Sequence, residues 1–339
     1  MKTRAAIALS SNTDLQIEEV DLADPAAGEV RVKVKACGIC RSDLSALEGK
    51  ETIQFPAVLG HEACGTIEAV GENVSTLREG DEVVLSWTPA CGTCPACERK
   101  QVHLCHAINM TTEGQGPLSW NGEGLDRFMG LGAFSEHVVV PQAMAIPINS
   151  SLASHHACLI GCGVTTGFGA AVNTAAVQAG ETVAVLGCGG VGLAAIQGAR
   201  IAGAAKIIAL DPIAERRQAA LHIGATEVLD STSAAADVVQ LSCGGVDVAI
   251  ECVGQIATMQ DGFAMIRDGG RCIVVGLPAF TETLTIPAIS LLREKVLTGS
   301  IYGSSTPSSD FQKFAALGES GELNFDALVD KTRPFSEIN

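Results

Sequence analysis

The chain has 339 residues, 47% hydrophobic and 18% charged, with a formal net charge of -16. Such a length predicts two domains with large apolar cores, and the acidic balance, with no block of Lys and Arg to reverse it, disfavours nucleic acid and anionic lipid as partners. No apolar run reaches the roughly 18 residues of a membrane span, and the 13 cysteines point to metal ligation in a cytoplasmic protein rather than a disulfide framework.

The opening Met1-Lys2-Thr3-Arg4, followed by Ala5 to Leu9, is too short for a signal peptide and reads as a first strand. To about Phe55 the chain is β-rich, and Val30 to Lys35 alternates at period two before running into Cys37-Gly38-Ile39-Cys40-Arg41-Ser42-Asp43. Leu59 to Gly65 and Gly71 to Val84 continue this all-β character, with turns at Asn73 and Gly80-Asp81. Cys91, Cys94, Cys97 and Cys105 follow. Short CxxC steps let the backbone wrap a tetrahedral ion, so the four predict a closed, structural zinc site; a redox pair or scattered thiols is the alternative.

Thr111 to Leu131 is rich in Gly and polar residues and reads as a long surface loop, whose Trp120, Phe128 and Met129 could edge a pocket. Strand character resumes from Gly132 to Val140, Ser151 to Leu159 reads as a short helix, and Ile160 to Gly167 leads into a small-residue helix toward Val177.

At Gly187-Cys188-Gly189-Gly190-Val191-Gly192 a strand run, Thr182 to Leu186, meets a helix pattern, Val191 to Ala202. Gly187 permits the tight turn, Gly189 lets backbone approach a pyrophosphate, and Gly192 lets the helix pack on the strand. The next apolar run, Lys206 to Leu210, ends at Asp211. A carboxylate there accepts hydrogen bonds from ribose hydroxyls and favours NAD over NADP, although Arg216 and Arg217 leave room for the phosphorylated cofactor. Val246 to Val253 and Gly270 to Leu277 are further strands flanking a helix at Met259 to Ile266, Leu297 to Gly303 is a strand at a sheet edge, and Phe311 to Leu317 reads as helical.

Cys40, His61 and Cys162 remain as soft ligands in glycine-rich surroundings. Two thiolates, one imidazole and an open position suit a catalytic zinc, but spacing alone does not bring the three together, and a buried histidine is often an ordinary core residue.

Taken in order, Gly38 to Asp43, Gly60-His61-Glu62, the four-cysteine spacing, Ile160 to Gly167 and Gly187 to Gly192 resemble the zinc-dependent medium-chain alcohol dehydrogenases over nearly the whole chain. The resemblance implies an α/β fold: a doubly wound Rossmann parallel sheet at 164–301 and a β-rich GroES-like catalytic domain at 1–163 and 302–339, with the site in the cleft between them. It implies two zinc ions per chain, NAD, and hydride transfer between an alcohol and the nicotinamide. By the same resemblance Cys40, His61 and Cys162 ligate the catalytic zinc, with Glu62 behind it and Asp43 fixing the His61 tautomer. Ser42 relays the alcohol proton, Arg41 meets the pyrophosphate, and Thr166 touches the nicotinamide. Gly190, Val191, Val253, Val275 and Leu277 lie along the cofactor, while Trp87, Phe128, Met129, Leu277 and Ile301 line the substrate pocket. A homodimer or homotetramer pairing through Leu297 to Gly303 is also implied.

Three departures stand out. Ser45 occupies the position where liver-type members have a histidine closing the proton relay, and Asn109 lies near where the glutathione-dependent formaldehyde branch has an arginine. Members also normally continue past Ile338-Asn339 with a helix, a strand and a cationic pyrophosphate contact; either the chain is truncated, in which case weaker NAD binding and a less stable catalytic domain are expected, or the contact is replaced. The competing readings are a polyol dehydrogenase, an aldehyde or enone reductase, and a cofactor-binding structural protein without turnover.

Overall fold

In the computed structural model, which describes residues 1–230, 234–279 and 281–339, the chain forms two units. One comprises Met1–Cys162, Thr306–Ser320 and Val329–Asn339; the other comprises Gly163–Ser305 and Gly321–Leu328.

The first unit contains β1 (Lys2–Ala8), β2 (Gln16–Leu22), β3 (Glu29–Gly38), α1 (Arg41–Leu47), β4 (Ala57–Val58), β5 (Glu62–Val70), β6 (Glu82–Leu85) and α2 (Pro95–Glu98). It continues with β7 (Leu118–Trp120), β8 (Glu123–Gly124), β9 (Asp126–Arg127), β10 (His137–Pro141), β11 (Ala145–Pro147) and α3 (Ser154–Ala157). The strands make two sheets, ordered β8-β7-β2-β1-β4-β9 and β10-β3-β5-β6-β11. The period-two run in β3 buries Val30 and Val32 completely while Lys33 and Lys35 face solvent.

Thr111 to Leu131 is not the open loop expected from its composition. β7 and β8 form a hairpin, β9 pairs parallel with β4, and Leu118, Leu125 and Phe128 are buried. The organising group is Asp126, only 1% exposed, whose carboxylate accepts from backbone and hydroxyl donors on either side. A single acidic residue outweighs a glycine-rich composition because five donors converge on it.

The second unit starts with α4 (Gly163–Gly169) and alternates β12 (Thr182–Leu186), α5 (Gly190–Ile201), β13 (Lys206–Leu210), α6 (Ala214–His222), β14 (Glu227–Leu229) and α7 (Ala234–Leu241). β15 (Val246–Glu251), α8 (Ile256–Met265), β16 (Ile266–Val274) and β17 (Val296–Gly299) complete it. The sheet is parallel throughout, in the order β14-β13-β12-β15-β16-β17, which is the doubly wound arrangement. Its central strands carry apolar residues on both faces, and Val183, Ala184, Ile208, Val248 and Ile250 are all fully buried.

The edge strand is shorter than expected for Leu297 to Gly303. β17 stops at Gly299, and Tyr302, Gly303 and Ser304 then take left-handed backbone angles (φ 54°, 61° and 49°) that no strand can accommodate. The chain rejoins the first unit through α9 (Pro307–Glu319). Gly321–Leu328, which the sequence groups with the catalytic part at 302–339, instead belongs to the second unit. There the Gln197 side chain in α5 donates to Asn324 O (3.1 Å) and accepts from Asn324 N–H (2.7 Å). Among the described residues no single helix is long and apolar enough to cross a membrane.

Candidate metal centres and dinucleotide turn

Antiparallel pairing sets Gly38 of β3 opposite Glu62 of β5. Cys40 lies just past one strand and His61 just before the other, so the ladder brings both to the same end. Cys40 is also the N-cap of α1, in an extended conformation (φ -93°, ψ 155°), where helix N–H groups favour a thiolate. Cys162 arrives at the end of a 3-10 turn over Cys158–Gly161. Gly161 is needed there: a Cβ would lie 2.9 Å from Leu85 O. Ligand atoms of Cys40, His61, Glu62 and Cys162 all lie within 4.8 Å of one another.

Asp43 organises this cluster. Its Oδ1 accepts from Gly60 N–H (2.8 Å) and from His61 Nδ1 (3.0 Å), and its Oδ2 accepts from Cys40 N–H (3.0 Å). With Nδ1 assigned as the donor by this network, the Nε2 lone pair is left for another partner. Nε2 is buried and has no hydrogen-bond partner, which a metal ion would satisfy. Hydrogen bonding with Cys162, aided by His61, holds the Cys40 thiol well below its ordinary pKa against the opposing effect of burial. Burial acts to lower the His61 pKa, but Asp43 and Cys40 outweigh it and raise it well above the usual value, so a metal taking the Nε2 lone pair displaces a proton. Cys37 and Cys158 nearby are pushed well up by burial, and Cys64 to about 12, so these thiols stay protonated and inert. The gathered set of two sulfurs, one imidazole and one carboxylate therefore fits zinc.

Glu62 faces the gap at Gly38, where any Cβ would overlap its Oε2. On the other side, the fully buried Phe128 ring meets the His61 imidazole edge-on, with centroids 5.6 Å apart and planes at 79°.

The Cys91, Cys94, Cys97 and Cys105 sulfurs also lie within 4.8 Å of one another, with the Cys91–Cys97 and Cys94–Cys105 pairs at 4.0 Å. Tetrahedral zinc with bonds of about 2.3 Å requires sulfurs about 3.8 Å apart, close to what is seen. Backbone N–H groups of Thr93 and Cys94 pull the Cys91 thiol down to about 6, and the Cys91 N–H itself donates to Cys105 Sγ at 3.4 Å. With all four positions held by protein the site has no vacancy for a substrate.

In the second unit Gly187 takes φ +89°, and a Cβ on Gly192 would overlap the Gly187 carbonyl. A Cβ on Gly189 or Gly190 would meet nothing within 4 Å, so the start of α5 presents bare backbone, as a pyrophosphate requires. Asp211 follows β13 directly and is 2% exposed; its Oδ2 accepts from Cys188 N–H (2.8 Å), its Oδ1 from Ile213 N–H (2.9 Å), and Arg216 stands 3.8 Å away.

The other expected site residues fall as follows. Ser42 is half-buried in α1, and Arg41 is exposed and paired with Glu48 at 3.3 Å. Trp87 and Met129 are 7% and 6% exposed in the first unit. In the second unit Val253, Leu277 and Ile301 are exposed, while Thr166, Val191 and Val275 are half-buried. Sequence reasoning missed Asp126 and also Glu251, whose Oε1 accepts from Val253 N–H (2.9 Å), Gly254 N–H (2.8 Å) and Thr258 Oγ1 (2.7 Å). An acid closing the apolar run Val246 to Ile250 was the available signal for Glu251; Asp126 offered none beyond its place before Arg127-Phe128.

Residues 26–150 match the model of the alcohol dehydrogenase GroES-like domain, and residues 190–320 match that of the zinc-binding dehydrogenases. Alcohol dehydrogenase 1 of Pisum sativum is 36% identical, the match covering 100% of this chain and 93% of that protein. The S-(hydroxymethyl)glutathione dehydrogenase of Saccharomyces cerevisiae is likewise 36% identical, covering 100% and 92%. Benzyl alcohol dehydrogenase of Acinetobacter calcoaceticus superposes with a TM-score of 0.94 at 30% identity, covering 100% of this chain and 94% of that one.

Proposed function

The chain belongs to the zinc-dependent medium-chain alcohol dehydrogenase family, and from that premise we propose that it interconverts primary or secondary alcohols and their aldehydes or ketones, with NAD as hydride acceptor. The observation that carries this reading is the meeting of Cys40, His61 and Cys162, with His61 Nε2 buried and unpartnered.

Zinc held there would supply Lewis-acid polarisation of the alcohol or carbonyl oxygen. The dinucleotide would supply the hydride acceptor. The chain's own residues do the rest. Asp43 keeps the His61 proton on Nδ1 and so aims Nε2 at the ligand point. Ser42, half-buried in α1, offers a hydroxyl that would accept the alcohol proton as it gives up its own. Gly189 and Gly190 leave backbone bare for the pyrophosphate; the family resemblance alone assigns Arg41 to that pyrophosphate and Thr166 to the nicotinamide. Asp211 receives the adenosine ribose and favours NAD over NADP by its charge.

With Trp87, Phe128 and Met129 bordering the substrate, as the resemblance implies, a medium-sized apolar or aromatic primary alcohol is favoured, and the likeness to a benzyl alcohol dehydrogenase supports that choice. NADH absorbance across straight-chain, benzylic and polyol substrates tests it, together with the zinc content, expected at two per chain. Preference for a polyol would overturn the substrate class; one zinc and no turnover would overturn the enzyme. We also infer a cytoplasmic homo-oligomer joined through β17, an edge strand that begins at the exposed Val296 and follows a turn bearing the exposed Ile289 and Leu292. A monomer in sedimentation would contradict it.

A further inference from the structure

Two charged residues adjacent in sequence, Asp126 and Arg127, lead directly into the turn that carries Phe128 and Met129. Asp126 Oδ1 accepts from Thr112 N–H (2.6 Å), Thr112 Oγ1 (2.9 Å) and Arg127 N–H (2.8 Å). Its Oδ2 accepts from Gln54 N–H (3.0 Å) and from Thr111 Oγ1. Arg127, in turn, donates from Nη1 to Gly130 O (3.1 Å) and Val139 O (3.2 Å). Burying a carboxylate is unfavourable unless its lone pairs are filled, and here they are filled from three separate segments of chain.

Just after these anchors Met129 adopts a left-handed conformation, φ 53° and ψ 28°. A long side chain rarely does so, and such a residue persists only where its surroundings over-determine it. The Met129 N–H donates to Met110 O at 2.9 Å, tying the turn to the same segment that Asp126 grips through Thr111 and Thr112. Phe128 beside it packs against the His61 ring.

We propose that Asp126 is a positioning residue for substrate selection: by clamping Thr111–Thr112 and the Phe128–Met129 turn to one point, it fixes the apolar wall beside His61. The inference rests on the alcohol dehydrogenase reading for its substrate, but the clamp itself can be read without turnover.

The test uses the zinc-loaded enzyme with Asp126→Asn, which puts an amide N–H where donors already point, and Thr112→Val, which removes the hydroxyl while keeping every backbone donor. Amide hydrogen exchange over residues 109–116 and 128–131 should quicken by about tenfold in D126N and less in T112V. The benzyl alcohol to ethanol ratio of kcat/KM should fall by about fivefold, mainly through KM, with zinc content unchanged. Unchanged exchange would overturn the proposal, as would a uniform loss on all alcohols with the ratio preserved. Were D126N to misfold, T112V would decide by the same two measurements. A wild-type enzyme inactive on every alcohol would fell the dehydrogenase reading, and exchange alone would then judge the clamp.

Discussion

Asp43 Oδ1 stands 3.0 Å from His61 Nδ1 while Asp43 Oδ2 accepts the Cys40 N–H, also at 3.0 Å, so one carboxylate orients two of the three proposed zinc ligands. Replacing Asp43 by Asn keeps one acceptor and the side-chain volume but removes the charge that favours the Nδ1–H tautomer. Zinc affinity at the Cys40–His61–Cys162 site is expected to fall about 10–100-fold. The four-cysteine site should keep its metal. Titrating zinc against a chelator reads both; two sites of wild-type affinity in D43N would remove the positioning role.

At the other cluster, Cys97→Ser takes away one of four sulfurs that hold the 91–105 loop. Bound metal should drop by one ion while the Cys40 centre stays loaded, because the clusters share no residue. The melting temperature is expected to fall by roughly 5–10 °C, the response to a few kcal/mol in a domain of this size. Calorimetry with parallel metal analysis distinguishes this from a variant that loses both ions.

On the proposed reading the Asp211 carboxylate would meet a 2′-phosphate as a like charge, with Arg216 3.8 Å away. An Asp211→Asn variant retains an acceptor for the Cys188 or Ile213 N–H but no longer repels phosphate. The kcat/KM ratio of NADP to NAD should rise by about tenfold or more. No change in that ratio would mean that cofactor choice lies elsewhere.

Ser45 is half-buried in α1 and offers only a hydroxyl, which does not titrate near neutral pH. The wild-type rate should therefore show little dependence on pH around about 6.5. In Ser45→His the imidazole becomes a base as it loses its proton, so the rate should climb as pH rises through that value. A pH–rate profile unaltered by the substitution would argue against a relay that reaches this position.

Asn109 is uncharged and its Oδ1 receives the Thr111 N–H at 3.4 Å. Without an arginine there, the glutathione carboxylate has no cationic anchor at this position. Formaldehyde with glutathione is expected to give no more NADH than formaldehyde alone, even though an S-(hydroxymethyl)glutathione dehydrogenase is among the relatives. Strong glutathione-dependent turnover would remove the argument.

What the amino-acid order determined by itself was local. Four cysteines within a short loop, a glycine turn between an apolar strand and a small-residue helix, and apolar runs long enough to be buried on both faces each carry their partners within a few positions. Periodicity and spacing report such neighbours directly. Tertiary structure decided everything that depends on distant segments meeting. Cys162 lies far along the chain from Cys40 and His61, and only the β3–β5 register and the close approach allowed by Gly161 join them. The order within Thr111 to Leu131 was likewise hidden, because the donors that satisfy Asp126 include Gln54 from before β4. The left-handed backbone at Tyr302 and Ser304, which keeps the strand from reaching Gly303, is likewise a choice that these side chains do not signal. A buried polar group takes whichever partner the fold brings to it, and hydrophobic periodicity does not encode that partner.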